Sequence, residues 1–160
     1  MMAMAMLAAS RGTCKRRQVG CILVDDLNHV LATGYNGTPR NVAHCGSHIC
    51  PGMNASSGTQ LDGCMATHAE QNALLQCMDV EKIHTVYCTT QPCLTCTKLL
   101  MNTGAKWIVY LDAYPNSGRD LWLSSGRNMC TVSLQEKVQL QQLFHMLAER
   151  SDSALITSAK

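Results

Sequence analysis

Aromatic residues are scarce in this chain: two Trp, four Tyr and one Phe among 160 residues. Proteins that grip single-stranded nucleic acid line a basic groove with stacking rings, so this scarcity argues against such a groove. Charge is sparse too. The net charge of +2 is too small to point to a polyanionic partner by itself. No apolar stretch approaches the length of a membrane span. Residues 1–9 are apolar, but Arg11, Lys15, Arg16 and Arg17 follow them. A secretory signal has the reverse order and a longer apolar region. No internal repeat is visible, and neither a nucleic-acid nor a membrane partner is expected.

Cysteine, by contrast, is abundant. Ten cysteines without an export signal suggest a reducing compartment, the cytoplasm, and metal ligation in place of a disulfide framework. At 160 residues and 46% apolar composition the chain is long enough for one domain with a real core.

Two short stretches carry the chemistry. The first is Ala66-Thr67-His68-Ala69-Glu70-Gln71-Asn72-Ala73-Leu74-Leu75, the second Thr90-Gln91-Pro92-Cys93-Leu94-Thr95-Cys96. Each is expected to open a helix, with Thr67 as a cap of the first and Pro92 at the first turn of the second. Cys93 and Cys96, three apart on one helical face, can then reach one ion. His68, Cys93 and Cys96 are three donors suited to a zinc ion with its fourth position open to water. Two helix N-termini favour the thiolate forms. Glu70, two residues from His68, is free to take a proton from the attacking water and return it to a ring nitrogen and to departing ammonia. Such help is worth ~10²–10⁴-fold in rate. A lone C-x-x-C is often a structural half-site or a redox pair. The joint pattern H-x-E then P-C-x-x-C is the signature of zinc-dependent base deaminases.

Taken in order, residues 1–9 read as a short helix packed on a sheet. Residues 19–24 and 30–33 read as a hairpin around a turn at Asp25, Asp26, Leu27 and Asn28. Residues 38–66 show no period and are too long for an ordinary connection. They hold His44, Cys45, His48, Cys50 and Cys64, which with Cys14 form either a second, structural zinc site or a scatter of buried thiols. Strands are expected at residues 83–89, 106–111 and 130–133, and helices at 93–102, stopped by Gly104, and 134–150, capped by Ser133. Leu140, Leu143, Phe144 and Leu147 mark the last helix's apolar face. A polar loop at residues 112–119 carries Arg119, whose guanidinium could pair with a phosphate or simply be solvated. The alternation predicts an α/β fold: a three-layer α/β/α domain over residues 1–150 with a mixed five-stranded sheet, the insertion at about residues 38–66, and a loose tail at 151–160.

The chain resembles the deoxycytidylate (dCMP) deaminases of the cytidine deaminase-like superfamily. The resemblance rests on Thr13-Cys14-Lys15-Arg16, Val19-Gly20, Thr33-Gly34-Tyr35-Asn36-Gly37-Thr38-Pro39, His44-Cys45 and the two zinc-site stretches. The zinc pair alone identifies the superfamily; the Gly-Tyr-Asn-Gly element and the Cys/His-bearing insertion narrow it. The resemblance implies deamination of dCMP to dUMP, feeding thymidylate synthesis. It implies that Asn36 binds the deoxyribose 3′-hydroxyl and that Tyr114, with Ala69, lines the nucleotide site. It further implies a homo-hexamer activated by dCTP and inhibited by dTTP with Mg²⁺. Lys15, Arg16, Arg17, Gly34, Tyr35 and Gly37 would belong to that effector region. The small size and Met-rich start would suit a viral enzyme in a host cytoplasm. The competing functions are a deaminase of flipped tRNA or DNA bases, a free-cytidine deaminase, and a structural zinc module. Glu70 argues against the last, since a closed structural site needs no adjacent base.

Overall fold

The computed structural model describes residues 1–45, 50, 52, 54–56, 59, 64–115 and 117–157, with residues 149–157 described by their backbone alone. His48 lies outside the described residues.

Gly20–Val24 forms β1, and all five of its residues are buried. It pairs antiparallel with β2 (Val30–Tyr35) on one side and β3 (Thr85–Thr90) on the other. Parallel strands β4 (Trp107–Asp112) and β5 (Asn128–Thr131) extend the sheet from β3. The order is β2-β1-β3-β4-β5, the expected mixed five-stranded sheet. Side chains of a strand alternate between faces, so β1 feeds two cores. Ile22 and Val24 pack with Met2 and Ala5 of α1 (Met2–Ala9). Cys21 and Leu23 face Ala69 and Ala73 of α2 (Ala69–Gln76) and Leu100 of α3 (Leu94–Met101). A central strand covered on both faces reads as a continuous apolar run, which is why no alternation marks it in the sequence. Helices above and below make three layers.

Gly34 of β2 lies directly beneath α2. A Cβ there would stand 2.2 Å from the Ala69 carbonyl oxygen and 2.5 Å from the Ala73 nitrogen, so only glycine lets the helix lie this close.

Several boundaries differ from the sequence reading. The α2 N-cap is His68, not Thr67, because Gln71 Oε1 accepts from the His68 N–H at 2.8 Å. Thr67 instead bridges Gly37 through paired backbone hydrogen bonds. Cys93 is the N-cap of α3, so Pro92 stands one residue before the helix. That helix ends at Met101, ahead of Gly104. A short 3-10 turn, Val80–Lys82, precedes β3. The polar loop gives way to an unexpected helix, α4 (Arg119–Ser124), anchored by Trp122. That ring is fully buried, and its Nε1 donates to the Asn128 carbonyl at 2.7 Å. Removing such a side chain typically costs about 3–5 kcal/mol, so one residue holds six in place.

Ser133 caps α5 (Leu134–Thr157) as expected: its hydroxyl accepts from the Glu136 N–H at 3.2 Å, while Glu136 Oε2 accepts from the Ser133 N–H at 2.8 Å. This is a capping box. The helix continues past Arg150, where a loose tail was expected, and residues 158–160 lie outside the described residues. Leu140 packs beside Val132, whereas Leu143 and Leu147 are exposed.

Candidate active site

Strands β2, β3 and β4 point the same way, because β1 is antiparallel to both β2 and β3. Their C-terminal ends therefore share one edge of the sheet with the start of β1. Segments leaving that edge carry Asn36, Gln91 and Tyr114, and Val19 enters there. Both α2 and α3 begin at this edge too: the Gly37–Thr67 bridge delivers α2, and three residues after β3 deliver α3. Ligand sites of open α/β sheets form at such edges.

The two helix starts bring the donors together. His68 Nδ1 lies 3.3 Å from Cys96 Sγ and 3.5 Å from Cys93 Sγ. All three ligand atoms lie within 4.8 Å of one another. Bonds of about 2.3 Å to sulfur and 2.0–2.1 Å to nitrogen, set tetrahedrally, place donors roughly 3.5 Å apart. The trio thus fits a zinc ion in distance, donor chemistry and number. Cys93 and Cys96 are buried and His68 is half-buried.

Proton placement follows from this crowding. Hydrogen bonds from Cys96 and then His68 bring the Cys93 thiol down to about 4, against the opposing effect of burial. Its hydrogen bond to Cys93 raises His68 above the ordinary histidine range. The Cys96 thiol is pushed far up by its bond to Cys93, by burial and by the charge of Glu70. Burial raises the Glu70 carboxyl, which is 4% exposed. A carboxyl held above its usual range next to the donors suits a group that accepts and returns a proton near neutrality.

A cavity of about 320 Å³ opens above the trio. His68, Ala69, Glu70 and Cys93 line it together with Val19, Asn36, Thr90, Gln91 and Tyr114. The insertion contributes Ala55, Cys64 and Ala66, and the segment before β1 contributes Cys14, Arg16 and Arg17. Asn36 is 8% exposed; its Oδ1 accepts from the Val19 N–H at 2.8 Å and its Nδ2 donates to the Arg17 carbonyl at 2.7 Å. One further N–H of that amide is left for a ligand. The Arg17 guanidinium sits 5.9 Å from the centre of the Tyr114 ring. Arg16 instead turns to the insertion, where it donates to the carbonyls of Gly52, Ser56 and Thr59.

The structure does not gather every expected residue here. Arg119 is exposed in the first turn of α4 and is not among the residues lining the cavity. Lys15 and Tyr35 are exposed, Gly34 is spent on packing under α2, and Gly37 on its bridge to Thr67. Thr90, Gln91 and Ala55 were given no site role from the sequence, and Val19 entered only through the Val19-Gly20 stretch of the resemblance. Thr90 and Gln91 lie in the stretch that carries Cys93 and Cys96.

A second group of cysteines lies around the insertion, although among the described residues only His68, Cys93 and Cys96 bring three ligand atoms within 4.8 Å of one another. Cys45 and Cys50 are each 4% exposed, and Cys14 and Cys64 are half-buried. The Cys50 side chain lies near enough to Cys45 and Cys64 for the three thiols to influence one another's ionisation. Burial, then the charges of Cys14, Cys50 and Cys64, push the Cys45 thiol up to about 11. His44 is exposed. None of the ten cysteines is disulfide-bonded.

Residues 1–112 match the model of the cytidine and deoxycytidylate deaminase zinc-binding region. The chain belongs to the cytidine and deoxycytidylate deaminase family. A deoxycytidylate deaminase of Schizosaccharomyces pombe is 47% identical over 117 residues, which cover 71% of this chain and 36% of that protein. The chain thus spans about a third of the length of its yeast relative. A deoxycytidylate deaminase of Mycobacterium phage D29 is 40% identical over 114 residues, covering 66% of this chain and 87% of the phage protein. Among solved structures, the dCMP deaminase of cyanophage S-TIM5 in complex with dCMP and dUMP superposes with a TM-score of 0.64 at 31% identity. That match covers 82% of this chain and 93% of the phage chain. For this family member no helix among the described residues is long and apolar enough to cross a membrane.

Proposed function

We propose that this chain hydrolyses dCMP to dUMP and ammonia, supplying dUMP for thymidylate synthesis. The observation that carries the reading is one cavity lined by His68, Cys93, the buried Glu70 carboxyl, Arg16 and Arg17, with the buried Cys96 completing the set of three zinc donors beside it. The relatives' names support the choice of nucleotide. His68, Cys93 and Cys96 would hold the zinc ion, which supplies Lewis acidity that makes a water nucleophilic at neutral pH. Glu70 takes the proton of the attacking water and passes it to the pyrimidine ring nitrogen. It then helps protonate the amine as the C4–N bond breaks. A new C4–O bond takes its place, so water enters and ammonia leaves.

Asn36 offers its remaining N–H to the deoxyribose 3′-hydroxyl, with Ala69 and Tyr114 as neighbouring walls. Arg17 is the candidate for the 5′-phosphate, because it lines the cavity and its guanidinium sits 5.9 Å from the centre of the Tyr114 ring. Arg119 stays a weaker alternative for the phosphate. The Cys14, Cys45, Cys50 and Cys64 cluster holds a second, structural zinc, with His44 and His48 as reserve ligands. Of the residues expected in an effector region for dCTP, or for dTTP with Mg²⁺, in a homo-hexamer, the exposed Lys15 and Tyr35 are the candidates to meet the nucleotide, while Arg16, Gly34 and Gly37 shape the backbone around them. Free thiols suit a reducing cytoplasm. Turnover of dCMP, cytidine, dCTP and a cytosine-bearing oligonucleotide, each with and without dCTP and dTTP as effectors, tests the reading. Preference for dCMP supports it, and preference for cytidine or the oligonucleotide overturns it.

A further inference from the structure

Pro92 interrupts the backbone pairing that seats the catalytic helix. The ladder between β3 and β4 ends at the Thr90–Asp112 pair. Beyond it the two chains stay together: the Gln91 N–H donates to the Asp112 carbonyl at 2.8 Å, the Gly118 N–H donates to the Pro92 carbonyl at 3.3 Å, and Cys93 bridges Ser117. Pro92 has no N–H to give. Between these rungs lies the backbone of Tyr114, and its N–H donates at 3.2 Å to a side chain, Gln91 Oε1. Gln91 is 5% exposed, and its Nε2 points to Met129 Sδ at 3.2 Å, which fixes the amide's orientation. The backbone of the same residue sets the spacing to Cys93.

We propose that Gln91 is a positioning residue for substrate binding. Its side-chain carbonyl acts as an acceptor rung that holds Tyr114, and with it the Tyr114–Arg17 wall, at a fixed height above Glu70. This rests on the reading of Tyr114 as a wall of the nucleotide site. Two features separate it from a merely structural glutamine. Gln91 and Tyr114 both line the cavity, and the bond joins the two edges of the site that carry the metal donors and the nucleotide wall. Loss of the acceptor should release the wall without touching the zinc ligands or Glu70, so substrate capture suffers and the chemical step does not.

The test is steady-state kinetics on zinc-replete protein with dCMP. Gln91→Met keeps length and removes the acceptor, and KM should rise about tenfold, as for one lost hydrogen bond. Under the same change kcat should stay within about twofold and zinc content should be intact. Gln91→Glu keeps an acceptor and should give a KM closer to wild type than Gln91→Met, which guards against a folding defect peculiar to the thioether. In a Tyr114→Ala background, Gln91→Met should add less than about twofold, because it acts through Tyr114. Additive effects, or a fall in kcat or zinc content with Gln91→Met, would overturn the proposal. An unchanged KM in Gln91→Met while Tyr114→Ala raises it defeats the positioning role alone. An unchanged KM in Tyr114→Ala defeats the wall reading, and the proposal with it.

Discussion

Cys96 Sγ lies 3.3 Å from His68 Nδ1, although 28 residues separate them, because α2 and α3 begin side by side at one edge of the sheet. The same thiol feels the charge of the Glu70 carboxyl. Cys96 therefore joins the metal donors to the proton-transfer group. Cys96→Ala should abolish zinc at this site and reduce dCMP turnover to background, since it deletes one of three protein ligands. Elemental analysis alongside the assay checks this, and retained metal with retained activity contradicts it.

Asn36→Ala removes more than a ligand contact. Its amide also ties Val19 and the Arg17 carbonyl together. The loss of sugar bonding should raise the barrier by about 1–3 kcal/mol. A fall in melting temperature should accompany it, since two part-buried backbone groups lose their partner. Kinetics and a thermal melt on one preparation separate the two effects.

The cysteine cluster predicts a second zinc ion per chain. Residues 38–66 have little apolar content to offset their ordering entropy, and a closed site supplies that stabilisation directly. Cys45→Ser with Cys50→Ser should remove that ion and lower the melting temperature by on the order of 5–10 °C. The ion at His68, Cys93 and Cys96 should remain. One zinc per chain in replete wild type would dispose of the second site.

The α5 capping box gives a pH dependence of known sign. Its bonds to Ser133 hold the Glu136 carboxyl below its ordinary 4.5. The stabilisation is therefore fully present above that value and is lost as pH falls through the lower folded one. Helicity followed by circular dichroism should drop in that acid range, and Glu136→Gln should flatten the response. An identical acid transition in the variant would show that the cap does not set it.

β1 and β4 were legible because each carries an apolar run, whereas β5, Asn128–Thr131, has a single buried residue and begins two residues before the expected 130–133. The catalytic residues were legible because His68, Glu70, Cys93 and Cys96 form a pattern with a chemical reason. Boundaries were less so, since a cap is decided by one side chain: Gln71 selects His68 over Thr67. α4 was hidden because its six residues are held by the burial of Trp122 and not by any periodicity. Gln91 escaped notice because its bond to Tyr114 spans 23 residues, and nothing local announces it. Arg16 read as a triphosphate ligand, while its guanidinium reaches insertion carbonyls roughly forty positions away. Long-range polar contacts leave no spacing signal in the chain.

The central claim is that a buried carboxyl at the floor of this cavity moves the protons of dCMP deamination. Its most direct test is single-turnover assay of Glu70→Gln beside wild type, with zinc measured on both. The carboxamide cannot shuttle protons near neutrality, so zinc should be retained while the rate falls by at least ~10²–10⁴-fold. A zinc-replete Glu70→Gln that still converts dCMP to dUMP at a wild-type rate would contradict the account.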